Sequence, residues 1–270
     1  MIVSALDLRK RTTGMFLGRN LRYARFPVLV VNCVPGYARL TVILLPLMLV
    51  LGCNPRLSNG LRKKDLKKDV EIATTKGIIV IRLSDSTPQH RDNFLKLAKV
   101  GYYDSLLFHR VIRNFMIQSG DPDSKYGNPG KPLSQGGKGG PGYTIPAEFK
   151  PALFHKRGAL GAARTGDDVN PARASSGSQF YIVQGKRFTD AALDSVETFR
   201  LKGRKIPEEE RSVYRQLGGA PHLDQQYTVF GEVIRGMDVV DSIAAVKTSG
   251  PPLDRPEAEV RILKMKLIRR

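Results

Sequence analysis

From about residue 71 onward the chain is a succession of short β-branched runs cut apart by turn formers, a pattern that leaves room for few helices. The clearest run, 76–83, reads KGIIVIRL, with β-branched residues in unbroken succession from Ile78 to Ile81. Further strand signals cover 106–113, 116–118, 159–163, 179–184, 227–234 and 260–268. Twenty-six glycines and 17 prolines supply the turns between them. Helical periods stand out at two places in this plan. Thr87 and Pro88 open the first as N-cap and first helical residue; Phe94, Leu97 and Ala98 give it an apolar stripe, and Gly101 ends it. The second covers 237–246, where Val239, Val240 and Ile243 share a face. Many short strands with two distant helices imply a mainly β fold: a closed antiparallel β-barrel capped by two helices.

Two segments interrupt the plan. The stretch from Gly120 through Gly142 holds eight glycines and four prolines, which demand a long turn-rich loop. Its Gly137-Lys138-Gly139 lacks the Ser or Thr that follows the Lys of a phosphate-binding loop. The stretch 189–219 reads as an inserted helical hairpin. Its second helix has Pro207 at the start, Glu208, Glu209 and Glu210 in the first turn, Arg211 and Arg215 later, and Gly218-Gly219 past the end. Those charges complement the helix dipole. Val196, Phe199, Val213 and Leu217 form a docking face if exposed, and a local core if packed on each other or on the barrel.

The 270 residues allow one large domain or at most two, and 41% hydrophobic content excludes global disorder. Cys33 and Cys53 are the only cysteines, and both precede the folded segment, so a disulfide scaffold and a multi-cysteine zinc site are excluded. Four scattered histidines (His90, His109, His155 and His222) argue against a His-built metal centre. Residues 1–52 carry seven Lys/Arg against Asp7 alone, and end in an apolar run interrupted by Pro46 that is too short to span a bilayer. A basic stretch, a short apolar run and small residues at the cut describe an export signal. Val50-Leu51-Gly52-Cys53 resembles a bacterial lipobox, whose cysteine is acylated and becomes the new N-terminus. The expectation is therefore a signal over 1–52, a lipid on Cys53, a polar basic tether over 53–70 and one domain over 71–270. That places the protein in the bacterial cell envelope as a lipid-anchored monomer facing the periplasm. From Cys53 onward, 37 basic and 24 acidic residues remain. No aromatic-interleaved basic patch accompanies them, so nucleic acid is not the expected partner; anionic headgroups or simple solvation account for the charge.

Three short pieces carry the chemistry. Residues 108–121 (FHRVIRNFMIQSGD) closely resemble the signature of the cyclophilins, the cyclosporin-binding family of peptidyl-prolyl isomerases. Residues 175–183 (SSGSQFYIV) and 223–231 (LDQQYTVFG) resemble the family's second and third blocks, in the right order within 71–270. The resemblance implies a peptidyl-prolyl cis-trans isomerase on a cyclophilin-like barrel, without cofactor or metal, whose partners are proline-containing polypeptides. The alternative is a membrane-tethered proline-peptide-binding or chaperone module with little catalysis.

Rotation about an Xaa-Pro bond faces ~18–20 kcal/mol because the amide is resonance-stabilised. No bond is made or broken, so the catalyst needs a dry pocket for the ring and a donor that favours the twisted amide. In that state the prolyl nitrogen loses conjugation and becomes a better acceptor, so a fixed guanidinium binds the transition state selectively. By resemblance Arg110 is that donor, with Phe115 and Gln118 beside it. Phe115, Met116, Tyr181, Leu223 and Tyr227 line the proline site, and Gln118 and Gln179 hold substrate carbonyls and orient the arginine. Ala163 and Arg164 lie on the strand that resembles the one along which substrate backbone runs.

Relatives carry Phe, His and Asn where Tyr181, Tyr227 and Arg164 stand here. The Tyr181 hydroxyl needs a partner if buried, and Arg164 beside the groove would favour acidic residues flanking proline. His222 stands where well-known members carry a Trp that supports cyclosporin binding, which implies weak cyclosporin sensitivity. His109 belongs to the signature as a structural histidine. Ser175, Ser176 and Ser178 lack a Gly-x-Ser-x-Gly elbow and no His–Asp pair is spaced for a triad, so a hydrolase is not expected.

Overall fold

The computed structural model describes residues 60–125 and 139–270. The segment expected to be an export signal, Cys53 and most of the glycine-rich loop lie outside the described residues. The main sheet has eight strands: β1 (Lys68–Thr74), β2 (Gly77–Leu83), β3 (Arg110–Ile112), β4 (Met116–Ser119), β6 (Ala159–Ala162), β8 (Phe180–Val183), β9 (Val229–Arg235) and β10 (Ile262–Arg269). Two short strands, β5 (Thr144–Ile145) and β7 (Ser175–Ser176), pair separately. The order β10-β1-β2-β9-β6-β8-β4-β3 is antiparallel at every step. Register shifts at Ala73/Thr74, Val80/Ile81 and Leu160/Gly161 add the local twist that curls the sheet.

The concave face of that sheet holds the main core. Val70, Ile72, Ile79, Ile81, Ile117, Leu160 and Ile182 meet two helices there, α1 (Pro88–Lys99) and α4 (Met237–Ala244). The stripe read from the sequence is the face that α1 buries, and Phe94 lies 5.0–5.5 Å, ring centre to ring centre, from Tyr103, Phe180 and Phe230. The N-terminus of α1 is capped from a distance. The Thr87 side chain makes no capping bond; instead the Glu148 carboxylate accepts from the Gln89 and His90 N–H groups at 3.2 and 3.0 Å. A carboxylate at a helix N-terminus satisfies two orphan donors and complements the dipole.

The tether expected over 53–70 is corrected at its C-terminal end. Leu61 is fully buried, a 3-10 turn spans Lys63–Lys67, and β1 starts at Lys68 between β2 and β10. Lys63, Lys64 and Lys67 dominate the composition but point outward, while Asp65 turns in to Lys99 and Asp69 turns in to Arg82 and Arg270. The strand expected over 106–113 contracts to β3. At Leu107 the N–H donates to Ser124 Oγ and the carbonyl accepts from Ser119 Oγ, so side chains take the place of ladder partners.

Within 189–219, α2 spans Asp190–Phe199 and α3 spans Glu208–Gln216. Leu193, Leu201, Ile206 and Tyr214 form a small core with Phe154, Phe188 and Val196. Arg211 bridges the two helices through Glu197, Asp190 and Asp194 at 2.8, 3.0 and 3.0 Å. Burial opposes ionisation of Glu197, but Lys205, the Ile206 N–H and Arg211 prevail and hold its pKa at about 2. The apolar face proposed for this segment divides: Val196 packs inward and Val213 is half-buried, whereas Phe199 and Leu217 are exposed. No helix among the described residues is long and apolar enough to cross a membrane.

Candidate active site

Arg110 faces Gln118 across β3 and β4, Gln118 faces Tyr181 across β4 and β8, and Tyr181 faces Gly161 across β8 and β6. Opposed residues in an antiparallel ladder project to one side of the sheet, so these four positions form a single row on the convex face. Two residues along each strand, the same face carries Met116, Val183 and Ala159, and the opposite face feeds the main core through Ile117, Ile182 and Leu160. Strand β8 is buried on both sides for this reason, and FYIV reads as an unbroken apolar run.

The convex face is covered by a second apolar cluster. Met116, Ala159, Tyr181, Val183, Ala220 and Val229 are buried, with Phe115, Ala163, Leu223 and Tyr227 half-buried against them. The structure thus brings together Phe115, Met116, Tyr181, Leu223, Tyr227 and Ala163 from four separate stretches of sequence. Phe115 sits at the end of the β3–β4 turn, where Asn114 has a positive φ and the Phe115 carbonyl accepts from the Gln184 and Gly185 N–H groups. The His222 ring lies 5.3 Å from that of Phe115. Burial, with His155 and Arg200 nearby, lowers the His222 pKa to about 4, so the imidazole in this wall is neutral.

The polar half of the site is tied down. Gln118 Nε2 donates to Gln179 Oε1 at 3.0 Å, and Gln179 Nε2 donates to the Gly139 carbonyl at 3.0 Å. The Arg110 guanidinium is 39% exposed and its Nε donates weakly to Asp254 Oδ2 at 3.4 Å. Asp254 also fixes the strand itself, since its carbonyl accepts from the Val111 N–H. Among the described residues the bond to Asp254 is the one hydrogen bond of the guanidinium, which leaves four of its N–H groups for a ligand.

Arg164 departs from expectation. Its side chain is only 4% exposed and is ion-paired to Asp167 at 2.6 Å. Its Nε donates to the Gln226 carbonyl, and its guanidinium carbon lies 4.4 Å from the centre of the Tyr227 ring. The charge is neutralised inside the fold, so Arg164 holds Tyr227 in place and is not a free cation beside the groove. The Ala163 N–H is likewise committed to the Gln179 carbonyl, and the Ala163 carbonyl accepts from the Ser176 N–H.

The Tyr181 hydroxyl has a partner, His155 Nε2 at 2.8 Å, and His155 Nδ1 in turn meets Asp224 Oδ1 at 2.8 Å. Neither residue was singled out from the sequence; the signal available was Asp224 inside the third block and a histidine just before β6. Gly161 was missed as well. The Tyr181 ring lies over it, and a Cβ there would collide with the ring. His109 is half-buried, with its Nδ1 buried and unpartnered among the described residues, and desolvation lowers its pKa to about 4.

One serine–histidine–carboxylate array does exist, although no such spacing is visible in the sequence. His90 meets Ser175 Oγ at 2.9 Å and Glu148 Oε2 at 2.6 Å. Ser175 is 1% exposed and Glu148 is occupied in capping α1, so this is an internal brace with no room for an acyl substrate. Among the described residues no group of three His, Cys, Asp or Glu side chains is placed to hold a metal ion.

Residues 69–267 match the family model described as cyclophilin type peptidyl-prolyl cis-trans isomerase/CLD. A Staphylococcus saprophyticus protein named as a peptidyl-prolyl cis-trans isomerase is 33% identical over 79% of this chain and 98% of its own length. A Staphylococcus aureus homologue of the same name is 35% identical over 77% of this chain and 94% of its own. A longer Streptococcus pyogenes protein, named as a bifunctional phosphatase/peptidyl-prolyl cis-trans isomerase, is 36% identical, and the match covers only 37% of it. Among solved structures, a Cryptosporidium parvum cyclophilin superposes with a TM-score of 0.54 at 24% identity, over 75% of this chain and 98% of that one, and supports the fold. The same parasite protein, in the presence of the dipeptide Ala-Pro, superposes with a TM-score of 0.52 at 23% identity, over 75% of this chain and 99% of that one. The matched span, the sheet order and the convergence of three sequence blocks on one face have a common explanation: the chain belongs to the cyclophilin-type peptidyl-prolyl cis-trans isomerase family.

Proposed function

We propose that this isomerase binds proline-containing polypeptides on the convex face of β3, β4, β8 and β6, with Arg110 as the catalytic donor. The observation that carries the reading is the row Arg110–Gln118–Tyr181 running beside the apolar cluster of Phe115, Met116, Leu223 and Tyr227. The proline ring enters the cluster, which excludes water. The exposed donors of Arg110 reach the prolyl nitrogen as it pyramidalises, and Gln118, itself held by Gln179, orients the guanidinium and a substrate carbonyl. Interaction gained only in the twisted state lowers the barrier. The Ala-Pro dipeptide of the parasite structure is the simplest ligand of this class.

The full architecture in this proposal is a closed barrel with 189–219 as an inserted helical hairpin. Backbone bonds between the segments preceding β3 and β10 support closure: Ser105 to the Ile262 carbonyl, Ile262 to the Leu106 carbonyl and Phe108 to the Val260 carbonyl, each at 2.8 Å. The Gly219 N–H bonds the Lys186 carbonyl at 3.0 Å, so the chain leaves and re-enters the domain at one point, as an insertion does. Lipid attachment at Cys53 would place the enzyme at the bacterial cell envelope, facing the periplasm, where uncatalysed proline isomerisation takes tens of seconds and limits folding.

The test compares the intact chain with Arg110→Ala, following cis–trans exchange of Ala-Pro and Glu-Pro peptides by NMR line shape. Acceleration that is lost in the variant supports the mechanism. Peptide binding by both proteins without acceleration by either moves the function to the tethered binding module.

A further inference from the structure

A hydrogen-bonded chain of four side chains runs from the proline site into α3. Tyr214 donates its hydroxyl to Asp224 Oδ2 at 2.6 Å, and Asp224 Oδ1 accepts from both the backbone N–H and Nδ1 of His155 at 2.8 Å. His155 Nε2 then meets the Tyr181 hydroxyl at 2.8 Å. All four residues are at most 4% exposed. The direction of every proton follows from the carboxylate. Asp224 accepts at both oxygens, so Nδ1 of His155 carries a hydrogen, and with the imidazole neutral Nε2 keeps its lone pair and accepts from Tyr181. Reversing any link would set two lone pairs against each other in a buried place.

Both ends of this chain hold site walls. The Tyr181 ring is fixed by stacking on His155, with centres 6.0 Å apart and planes at 13°, and it lies over Gly161. Asp224 closes the 3-10 turn Pro221–Leu223, donating its N–H to the Pro221 carbonyl, and that turn presents His222 and Leu223 to the apolar cluster. The Asp224 carbonyl accepts from Arg204 Nη2 at 2.8 Å, a second tie to the segment between α2 and α3. His155 is gripped on its other side by the Ala220 N–H, which bonds its carbonyl at 2.8 Å. Any displacement of α3 is therefore delivered to Leu223 through Asp224, and to Tyr181 through His155.

We propose that Tyr214, Asp224 and His155 are positioning residues of the isomerase, through which the 189–219 segment sets the placement of Tyr181 and Leu223 in the proline site. The proposal rests on the isomerase reading above. It explains why a tyrosine stands at 181: a phenylalanine would pack against Gly161 equally well but would carry no link to α3.

The experiment uses the full chain and the variants Tyr214→Phe, Tyr181→Phe, their double variant and Asp224→Asn. Tyr214→Phe keeps the ring in its small core and removes one oxygen from a position outside the apolar cluster of the site. Exchange of an Ala-Pro peptide gives kcat and KM, and chemical-shift titration of the same peptide gives Kd. The expected result is a rise in KM and Kd of about fivefold in Tyr214→Phe with kcat changed less than twofold, the size of one buried hydrogen bond. The double variant is expected to be no worse than the weaker single variant, because both substitutions cut one chain. Asp224→Asn should show the same rise, and side-chain 15N shifts should report His155 in the Nδ1–H tautomer. A lowered melting temperature with unchanged KM and Kd overturns the proposal, as do effects of Tyr214→Phe and Tyr181→Phe that multiply independently. If the unsubstituted chain fails to accelerate exchange, the isomerase reading falls separately, and Kd of Tyr214→Phe against the unsubstituted chain still decides the positioning claim.

Discussion

Gln118 Nε2 donates to Gln179 Oε1 at 3.0 Å, and Gln118 also stands directly opposite Arg110 in the β3–β4 ladder. One amide therefore connects the proposed catalytic donor with the residue that leads into β8. Gln179 is 2% exposed, and its Nε2 donates to the Gly139 carbonyl. Replacing it with Leu removes the acceptor of Gln118 Nε2 and the amide that donates to that carbonyl. Gln179→Leu is expected to lose about 1–3 kcal/mol of stability, together with activity, read by denaturant melts and peptide exchange.

Arg110 is the residue with the least structural duty in the row, since it is half-exposed and its one side-chain bond among the described residues is long. Arg110→Ala should leave the melting temperature almost unchanged and lower kcat/KM by about 10²–10³-fold, the usual cost of one preorganised donor. Arg110→Lys should recover little, because an ammonium cannot reproduce the planar fork. A loss of activity that tracks a loss of stability would show that Arg110 is a scaffold residue.

Gly161 has no side chain because the Tyr181 ring occupies that space. Gly161→Ala is expected to push the ring toward the proline site, costing about 1–3 kcal/mol by overpacking and weakening Ala-Pro binding. Gly161→Ala in a Tyr181→Phe background should cost nearly as much, since the collision involves the ring as well as the hydroxyl. Full recovery there would place the conflict at the hydroxyl alone.

The domain's pH profile has two opposing contributors of known sign. Burial raises the Glu210 pKa to about 7 from 4.5, with the Asp224 charge adding to the effect. The folded state then binds more protons than the unfolded one between these values, so stability falls as pH rises through that window. His222 and His109 both sit near 4, below the ordinary 6.5, and the folded state binds fewer protons there, so stability falls as pH drops from 6.5 to 4. The two windows overlap, so Glu210→Gln is expected to steepen the rise of melting temperature between pH 4.5 and 6.5 and to remove the fall toward pH 7. A profile identical to that of the unsubstituted protein would overturn the assignment.

Leu61 lies ahead of β1 in a run of lysines and is fully buried in the main core. Leu61→Ala is expected to destabilise the domain by about 2–5 kcal/mol, the cost of emptying a buried leucine site. A melt unchanged by that substitution would mean that the fold begins later, as the lysine-rich composition suggests.

Most of the strands were legible because β-branched runs such as Ile78–Ile81 and the apolar FYIV of β8 carry their conformation locally. The same holds for α3, whose acidic first turn and closing glycines are local signals. The proposed site is written along the chain as three blocks, and Arg110, Phe115 and Gln118 of the first fall on one short hairpin. What the sequence by itself could not decide is what each polar group meets. Arg164 is next to the proposed groove in sequence and is neutralised by Asp167 in space. Thr87 has the chemistry of a cap, and Glu148, 58 residues beyond His90, does the capping. The lysines of 63–68 hide the start of an interior strand because their charges face water while Asp65 and Asp69 turn inward. Apolar periodicity is written along the chain and survives in any tertiary context, so it can be read. A buried donor or charge is satisfied only by whatever the fold brings within hydrogen-bonding distance, so the tie from Tyr181 through His155 and Asp224 to Tyr214 exists only once four distant segments have packed together.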